Sequence, residues 1–201
     1  METAAYWVAL ISIFLFPPAM LLWFIIHPFT RTWRKLGPAR TYLVVVAILV
    51  SVMVGIYLAR EPLLRIRYGV SWPLVVFAGF LFVAANVVKA IRAKHLTFRI
   101  RFGLPQLSGS GKQGKLITEG IYAYVRNPTY LEGGLGLASV ALFSNYLALY
   151  VLLAAYVPII YVVTLLEERE LKERFGEEFE RYRREVPRFV PRLFRRKKGG
   201  G

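Results

Sequence analysis

Two short stretches carry most of the side chains that could do chemistry. The first, from Gly120 to Tyr130, combines aromatic, cationic and amide groups within eleven residues: Gly120, Tyr122, Tyr124, Arg126, Asn127, Pro128 and Tyr130. The second, from Glu167 to Glu170, reads Glu-Glu-Arg-Glu. Carboxylates beside aromatic faces can stabilise a soft, desolvated cation such as a sulfonium. The two stretches predict such a site if the fold joins them; the alternative is an aromatic belt with helix-end charges at a membrane interface.

The composition predicts that the elements positioning these residues are membrane helices. Hydrophobic residues make up 56% of the 201-residue chain and charged residues only 19%, whereas a soluble domain has about 25% charged residues. The net charge of +15 could suggest nucleic acid, but the long apolar runs argue against that partner. With no Cys and two His, disulfides and Cys-based zinc sites are excluded, and no metal site is expected.

Five apolar segments predict an all-α, polytopic membrane protein, since a span needs roughly 20 apolar residues. They are Ala4–Ile26, Tyr42–Leu58, Trp72–Val88, Tyr130–Phe143 and Tyr146–Leu166. Pro17 and Pro18 predict a kink or break in the first segment, and Pro158 interrupts the fifth. The fourth contains Gly133, Gly134 and Gly136 and is followed by Ser144-Asn145. The last two segments therefore predict a tight hairpin with close backbone approach at the glycines.

The distribution of Lys and Arg predicts the orientation. With five spans and the N-terminus outside, 24 of the 27 basic residues lie on the inner side and 3 on the outer side. The positive-inside rule therefore places the C-terminus in the cytoplasm. We expect an integral protein of a prokaryotic cell membrane.

The chain is expected to form a single integral-membrane domain over residues 1–198. We expect it to divide into three spans (1–91), a cytoplasmic connector (92–129), the hairpin (130–166) and a cytoplasmic tail (167–198). Residues 199–201 are expected to be a remnant of an appended segment. The tail carries an apolar stripe at helical spacing: Leu171, Phe175, Phe179, Tyr182 and Val186. This pattern predicts an amphipathic helix, lying either on the inner leaflet or over a bound cofactor.

The predicted hairpin brings the two polar stretches together. Pro128 suits the first position of a helix, so the fourth span would begin there with its amides facing the cytoplasm. The fifth span ends beside Glu167 and Glu168. Because the two spans form a hairpin, the start of one and the end of the other must be neighbours.

At these residues the chain resembles a family. The run GIYAYVRNPTY, a hydrophobic hairpin and then EExxLxxxFGxxFxxYxxxVPRFVP resemble the integral-membrane methyltransferases that include isoprenylcysteine carboxyl methyltransferase and the phospholipid methyltransferases. Their shared pattern is Arg-His-Pro with a Tyr two or three residues later, a hydrophobic stretch and Glu-Glu. Here it reads Arg126-Asn127-Pro128-Thr129-Tyr130 and Glu167-Glu168, within a resemblance that runs from Leu116 to Pro191.

The resemblance implies S-adenosylmethionine as methyl donor, bound on the cytoplasmic side beneath the hairpin. The implied cofactor-binding residues are Leu116, Ile117, Gly120, Tyr122, Asn127, Pro128, Tyr130, Glu167 and Glu168. Leu116 and Ile117 would line the cofactor through their backbone, and Glu167 would face its positive end. Arg126 and Tyr182 would support the site or close it. Asn127 stands where the family has His, and an amide cannot titrate near neutrality.

The acceptor is expected to be lipophilic and to enter from the inner leaflet among membrane lipids. Carboxylate-methylating relatives place an Arg four residues before the first Glu, where this chain has Val163. Arg126, Lys89 or Arg92 would have to replace it for a carboxylate, because an unpaired buried charge is costly. For an amine, Glu132 is the nearest candidate base, although an acid there also suits a helix N-terminus. The predicted catalytic residues are therefore Arg126 and Glu132.

Two other functions stay open on the sequence. Membrane reductases of the sterol-reductase type, which use a nicotinamide cofactor, have a similar C-terminal half. A non-catalytic scaffold that binds anionic lipid through its basic face is the other possibility.

Overall fold

The computed structural model describes residues 1–26, 30–94 and 116–191, and within them the all-α prediction is confirmed. The helices are α1 (Glu2–Ile26), α2 (Thr30–Leu36), α3 (Pro38–Leu58), α4 (Arg60–Leu63), α5 (Trp72–Ala93), a 3-10 helix (Gly120–Ala123), α6 (Pro128–Ser144), α7 (Leu147–Phe175) and α8 (Glu177–Glu185). An isolated bridge joins Arg67 to Tyr146. Most of the predicted connector and the end of the predicted tail lie outside the described residues.

Four of these helices are long and apolar enough to cross a membrane. They are α1 over Glu2–Leu22, α3 over Ala39–Leu58, α5 and α7. The fourth predicted span corresponds to α6, which has only 17 residues, so the total of five spans stays a prediction. Helix α7 continues past the predicted end at Leu166, which puts Glu167 and Glu168 on helical turns.

The predicted breaks at proline do not occur in the backbone. Helix α1 contains Pro17 and Pro18, and α7 contains Pro158, yet each is one continuous helix. Prolines are tolerated in membrane helices because neighbouring groups and small local adjustments satisfy the freed carbonyls. The prediction of an interruption at Pro158 is therefore wrong.

Contacts between the N-terminus and two loops define one end of the bundle. The Glu2 carboxylate pairs with Arg67 and accepts a 3.4 Å hydrogen bond from the Val70 amide. Asn145 adopts a left-handed conformation with φ 56°, and its Nδ2 donates to the Gly69 carbonyl at 2.7 Å. The α6–α7 turn, the 64–71 loop and the N-terminus therefore meet at the same end. The charge distribution predicts that this end is extracellular.

Labelling of introduced cysteines tests this orientation, since the chain has no native Cys. Glu61 has a side chain 85% exposed on the loop side, and Glu177 is exposed at the start of α8. We expect a membrane-impermeant maleimide to label Glu61→Cys in intact cells and Glu177→Cys only after permeabilisation. The reverse pattern would overturn the predicted orientation.

Helix α6 makes its most extensive contact with α5. The small residues Ala78 and Ala85 are buried on α5, and the buried Ser139 hydroxyl of α6 donates to the Ala78 carbonyl at 2.8 Å. Small residues let two membrane helices approach closely and allow a hydroxyl to bond across them. This packing places the C-terminal end of α5 beside the start of α6.

The glycines of α6 accommodate a tyrosine ring rather than a backbone. A Cβ at Gly133 would lie 2.7 Å from the Tyr156 hydroxyl, and one at Gly134 would lie 3.2 Å from Cε1 of the same ring. The Tyr156 hydroxyl also donates to the Tyr130 carbonyl at 2.7 Å. The predicted close backbone approach is therefore wrong at these two positions, and Tyr156 of α7 occupies the space.

We expect Gly133→Ala to destabilise the protein relative to Gly136→Ala. Both changes gain the same helix propensity, but nothing lies within 4 Å of a Cβ at Gly136. The new methyl at residue 133 must displace the Tyr156 hydroxyl, and such overpacking costs about 1–3 kcal/mol. Thermal unfolding in detergent measures the difference, and equal melting temperatures would show that the ring adapts without loss.

The apolar stripe of the tail faces the protein. Gly176, with φ 53°, separates α7 from α8. Phe179, Tyr182 and Val186 are at most 9% exposed and form a cluster with Leu116, with Leu171 and Phe175 packed against them. The stripe was predicted to face the inner leaflet or a bound cofactor, and in the described structure it packs against the connector at Leu116.

Candidate functional site

The connector enters the site through a backbone turn that glycine permits. Gly120 has φ 61°, in the left-handed region that favours glycine, and it begins the 3-10 helix that carries Tyr122. The Tyr182 hydroxyl of α8 donates to the Tyr122 carbonyl at 2.7 Å. Burial raises the pKa of both phenols above its ordinary value. Both tyrosines are therefore neutral at physiological pH, as the donated hydrogen bond requires.

The start of α6 is covered by the C-terminal segment. Pro128 is the first residue of α6, as predicted, and it is buried. The amides of Arg126 and Asn127 donate to the carbonyls of Pro187 and Arg188 at 2.9 and 3.2 Å. The Asn127 side chain makes a long 3.5 Å contact with the same Arg188 carbonyl and does not cap the helix. The residues after α8 are thus hydrogen-bonded to the motif itself.

A buried carboxylate holds this arrangement together, and we call Glu168, Arg126 and Arg188 the glutamate clamp. Arg126 donates to Oε1 of Glu168 at 2.8 Å, and Arg188 donates to both carboxylate oxygens at 2.8 Å. Arg126 Nη1 also donates to the carbonyls of Arg183 and Val186 at 2.7 and 3.1 Å. The Glu168 side chain is only 6% exposed. The clamp therefore ties the connector, the end of α7 and the C-terminal segment to one point.

The neighbouring Glu167 points to a different set of partners. Its Oε1 accepts a hydrogen bond from the Tyr130 hydroxyl of α6. The Tyr130 carbonyl in turn accepts from Tyr156, and both rings belong to a core cluster that contains the fully buried Val163. Two successive glutamates of α7 therefore have different partners: Glu168 belongs to the clamp, and Glu167 contacts the start of α6.

A second buried ion pair lies beside Tyr122. Arg92, at the end of α5, donates through Nε and Nη2 to the same oxygen, Oε2 of Glu132, at 2.9 and 2.7 Å. The two side chains are 6% and 19% exposed. After burial, the largest electrostatic influence on the Tyr122 pKa is Arg92, which lowers it, followed by Glu167 and Glu132, which raise it. The 3-10 helix that carries Tyr122 packs against α5, so these three charges act on the Tyr122 phenol from the same end of the bundle.

The described structure brings the predicted site residues together at one end of the bundle. Tyr130 bonds Glu167 at the C-terminal half of α7, and Glu132 pairs with Arg92 at the end of α5. Tyr122 accepts from Tyr182 of α8, and Asn127 bonds the residues after α8. Leu116 packs under α8, and Tyr124 is exposed. The hydrogen bonds of Arg126 go to Glu168 and two backbone carbonyls, which is the geometry of a positioning residue. Arg188 and Tyr156 were not predicted. Arg188 lies in the run VPRFVP, which belongs to the stretch that resembles the family, and this position could have indicated a role in the site.

Comparison with known proteins supplies the family. The chain matches the family described as phospholipid methyltransferase over residues 72–178, more than half of its length. The match spans α5, α6 and α7 and includes both glutamates of α7 and the Arg92–Glu132 pair. No curated protein matches the chain. With its apolar helices and this match, the chain is an integral membrane protein that belongs to the phospholipid methyltransferase family.

Proposed function

We propose that the protein transfers a methyl group from S-adenosylmethionine to a lipophilic acceptor at the cytoplasmic face of the membrane. The observation that carries this proposal is the convergence of Tyr122, Tyr130 and Glu167 at the end of the bundle where the basic residues cluster. The family itself is one of methyltransferases that act on lipids.

The described residues fit the proposed donor. Glu167 offers a carboxylate whose position is set by the Tyr130 hydroxyl, and carboxylates and aromatic faces suit a sulfonium. The start of α6 is the positive end of that helix's dipole, which suits the donor's carboxylate. Leu116 has its side chain buried under α8, so its backbone is the part that can line a cofactor.

When bound, S-adenosylmethionine would supply an electrophilic methyl group, and the acceptor's nucleophilic atom would bond to it as the carbon–sulfur bond breaks. Such a displacement needs alignment and exclusion of water more than acid–base help. Glu167 would hold the positive end of the donor, and the Tyr122 ring would shield it. The glutamate clamp would hold the C-terminal segment closed over the connector.

The acceptor would reach this point sideways through the bilayer. Apolar side chains cover the outer faces of α3 and α5, which fits surrounding lipid. The fully buried Val163 leaves no cation at the position where carboxylate-methylating relatives have Arg. Glu132 lies in the first turns of α6, and we propose that it takes the proton of an amine where the acceptor is one.

Methyl transfer from radiolabelled S-adenosylmethionine tests the proposal. A prenylcysteine analogue and an amino-phospholipid are offered to the detergent-solubilised protein, and labelled lipid is extracted. We expect saturable labelling of at least one acceptor. Brisk methylation of the prenylcysteine would show that Val163 is no obstacle to a carboxylate, and no labelling of either would count against methyl transfer to such lipids.

A further inference from the structure

The geometry of the Arg92–Glu132 ion pair is not explained by a contribution to folding stability. A buried ion pair seldom stabilises a fold more than apolar residues of the same size do, because desolvation offsets the Coulomb attraction. Both bonds from Arg92 go to Oε2, so Oε1 of Glu132 accepts no hydrogen bond from the described residues. Glu132 is also the more exposed partner, at 19% against 6%. The carboxylate is therefore the half of the pair that can move away at the smaller cost.

Arg92 differs from Arg126 and Arg188 because it does not bind Glu168. Arg126 and Arg188 both bind Glu168. The 3-10 helix that carries Tyr122 packs against α5, the helix on which Arg92 lies. The charges of Arg92 and Glu167 both act on the Tyr122 pKa, Arg92 lowering it and Glu167 raising it.

We propose that Arg92 is the specificity-determining residue for the acceptor: it binds an oxyanion of the lipophilic acceptor, either a carboxylate or a phosphate, and Glu132 is the resident anion that this group displaces. The inference deepens the proposed function and rests on it. The planar guanidinium binds carboxylate and phosphate through two parallel hydrogen bonds. The incoming oxyanion takes the place of the Glu132 carboxylate, so the Arg92 guanidinium keeps an anionic partner, and the N-terminal dipole of α6 favours an anion there.

Equilibrium binding of three lipids to the detergent-solubilised protein tests this. Oleate carries a carboxylate, oleoyl lysophosphatidic acid carries a phosphate, and methyl oleate is the neutral isostere. We expect the native protein to prefer at least one anionic lipid over methyl oleate by about tenfold or more. The tighter of the two anions identifies the head group.

Variants of the pair give the decisive readout. Glu132→Gln should strengthen binding of the anionic lipid by about tenfold, because it removes the competing anion, while methyl oleate is unaffected. Arg92→Gln combined with Glu132→Gln should abolish the preference without leaving a lone buried charge. Arg65→Gln, exposed on the far side of the bundle, is the control and should bind all three lipids as the native protein does.

A merely structural pair would behave differently. If Glu132→Gln leaves anion binding unchanged or weaker, or if the double variant keeps the preference, the inference is wrong. S-Adenosylhomocysteine binding is measured on the same samples. A native protein that binds the donor product but shows no preference for anions refutes this inference alone, whereas failure to bind the donor product refutes the proposed function.

Discussion

Replacing Glu168 with glutamine is expected to destabilise the protein by about 3–5 kcal/mol. The substitution leaves two guanidinium groups facing each other, and the side chain of Arg126 is only 9% exposed. Removing one partner of a buried ion pair is costly because the remaining charge has lost both water and counter-ion. In detergent the apparent melting temperature should fall by roughly 10 °C.

Glu173→Gln is the matched control for this experiment. Glu173 lies on the same helix and pairs with Arg169, but both side chains are more than 60% exposed, and exposed pairs contribute about 1 kcal/mol or less. Hydrogen exchange should also show that Glu168→Gln releases the amides of Arg126 and Asn127 from the C-terminal segment. Equal melting temperatures for the two variants would contradict the role assigned to the clamp.

Replacing Glu167 with glutamine is expected to act on the ligand instead of the fold. The side chain is half-buried, and losing one charge partner in such a site costs about 2–5 kcal/mol of binding. Affinity for S-adenosylmethionine should therefore fall steeply, while Glu177→Gln, in the exposed first turn of α8, should bind as the native protein does. Calorimetry measures the affinity for S-adenosylmethionine of the native protein and of the two variants.

A second variant separates charge from position. Tyr130→Phe removes the hydroxyl that bonds Glu167 but keeps the carboxylate, so donor affinity should fall less than in Glu167→Gln. If Glu167→Gln and Glu177→Gln bind the donor equally well, Glu167 does not belong to the donor site.

Local patterns explain how much of the site could be predicted. Pro128 is a good first residue for a helix, and that rule correctly gave the start of α6. The apolar positions of the tail recur at helical spacing, Phe179 and Tyr182 among them, and they indicated which face is buried. Each of these signals lies within a few residues of the feature it predicts.

The remaining features depend on contacts between distant segments. Arg92 and Glu132 are 40 residues apart, and only the packing of α5 on α6 makes them partners. Tyr156 fills the space over Gly133, which a glycine pattern alone cannot distinguish from backbone contact. The clamp pairs Glu168 with an Arg on either side of it in the chain, a choice among many cations that no local spacing indicates.

Calorimetric titration of the detergent-solubilised protein with S-adenosylhomocysteine, and separately with NADPH, shows which class of cofactor the protein binds. Both ligands are polar and soluble, so the identity of the lipid acceptor does not enter the measurement. We expect saturable binding of S-adenosylhomocysteine at one site per chain, lost in Glu167→Gln, and no binding of NADPH. Binding of NADPH without S-adenosylhomocysteine would contradict this expectation and point to a membrane reductase.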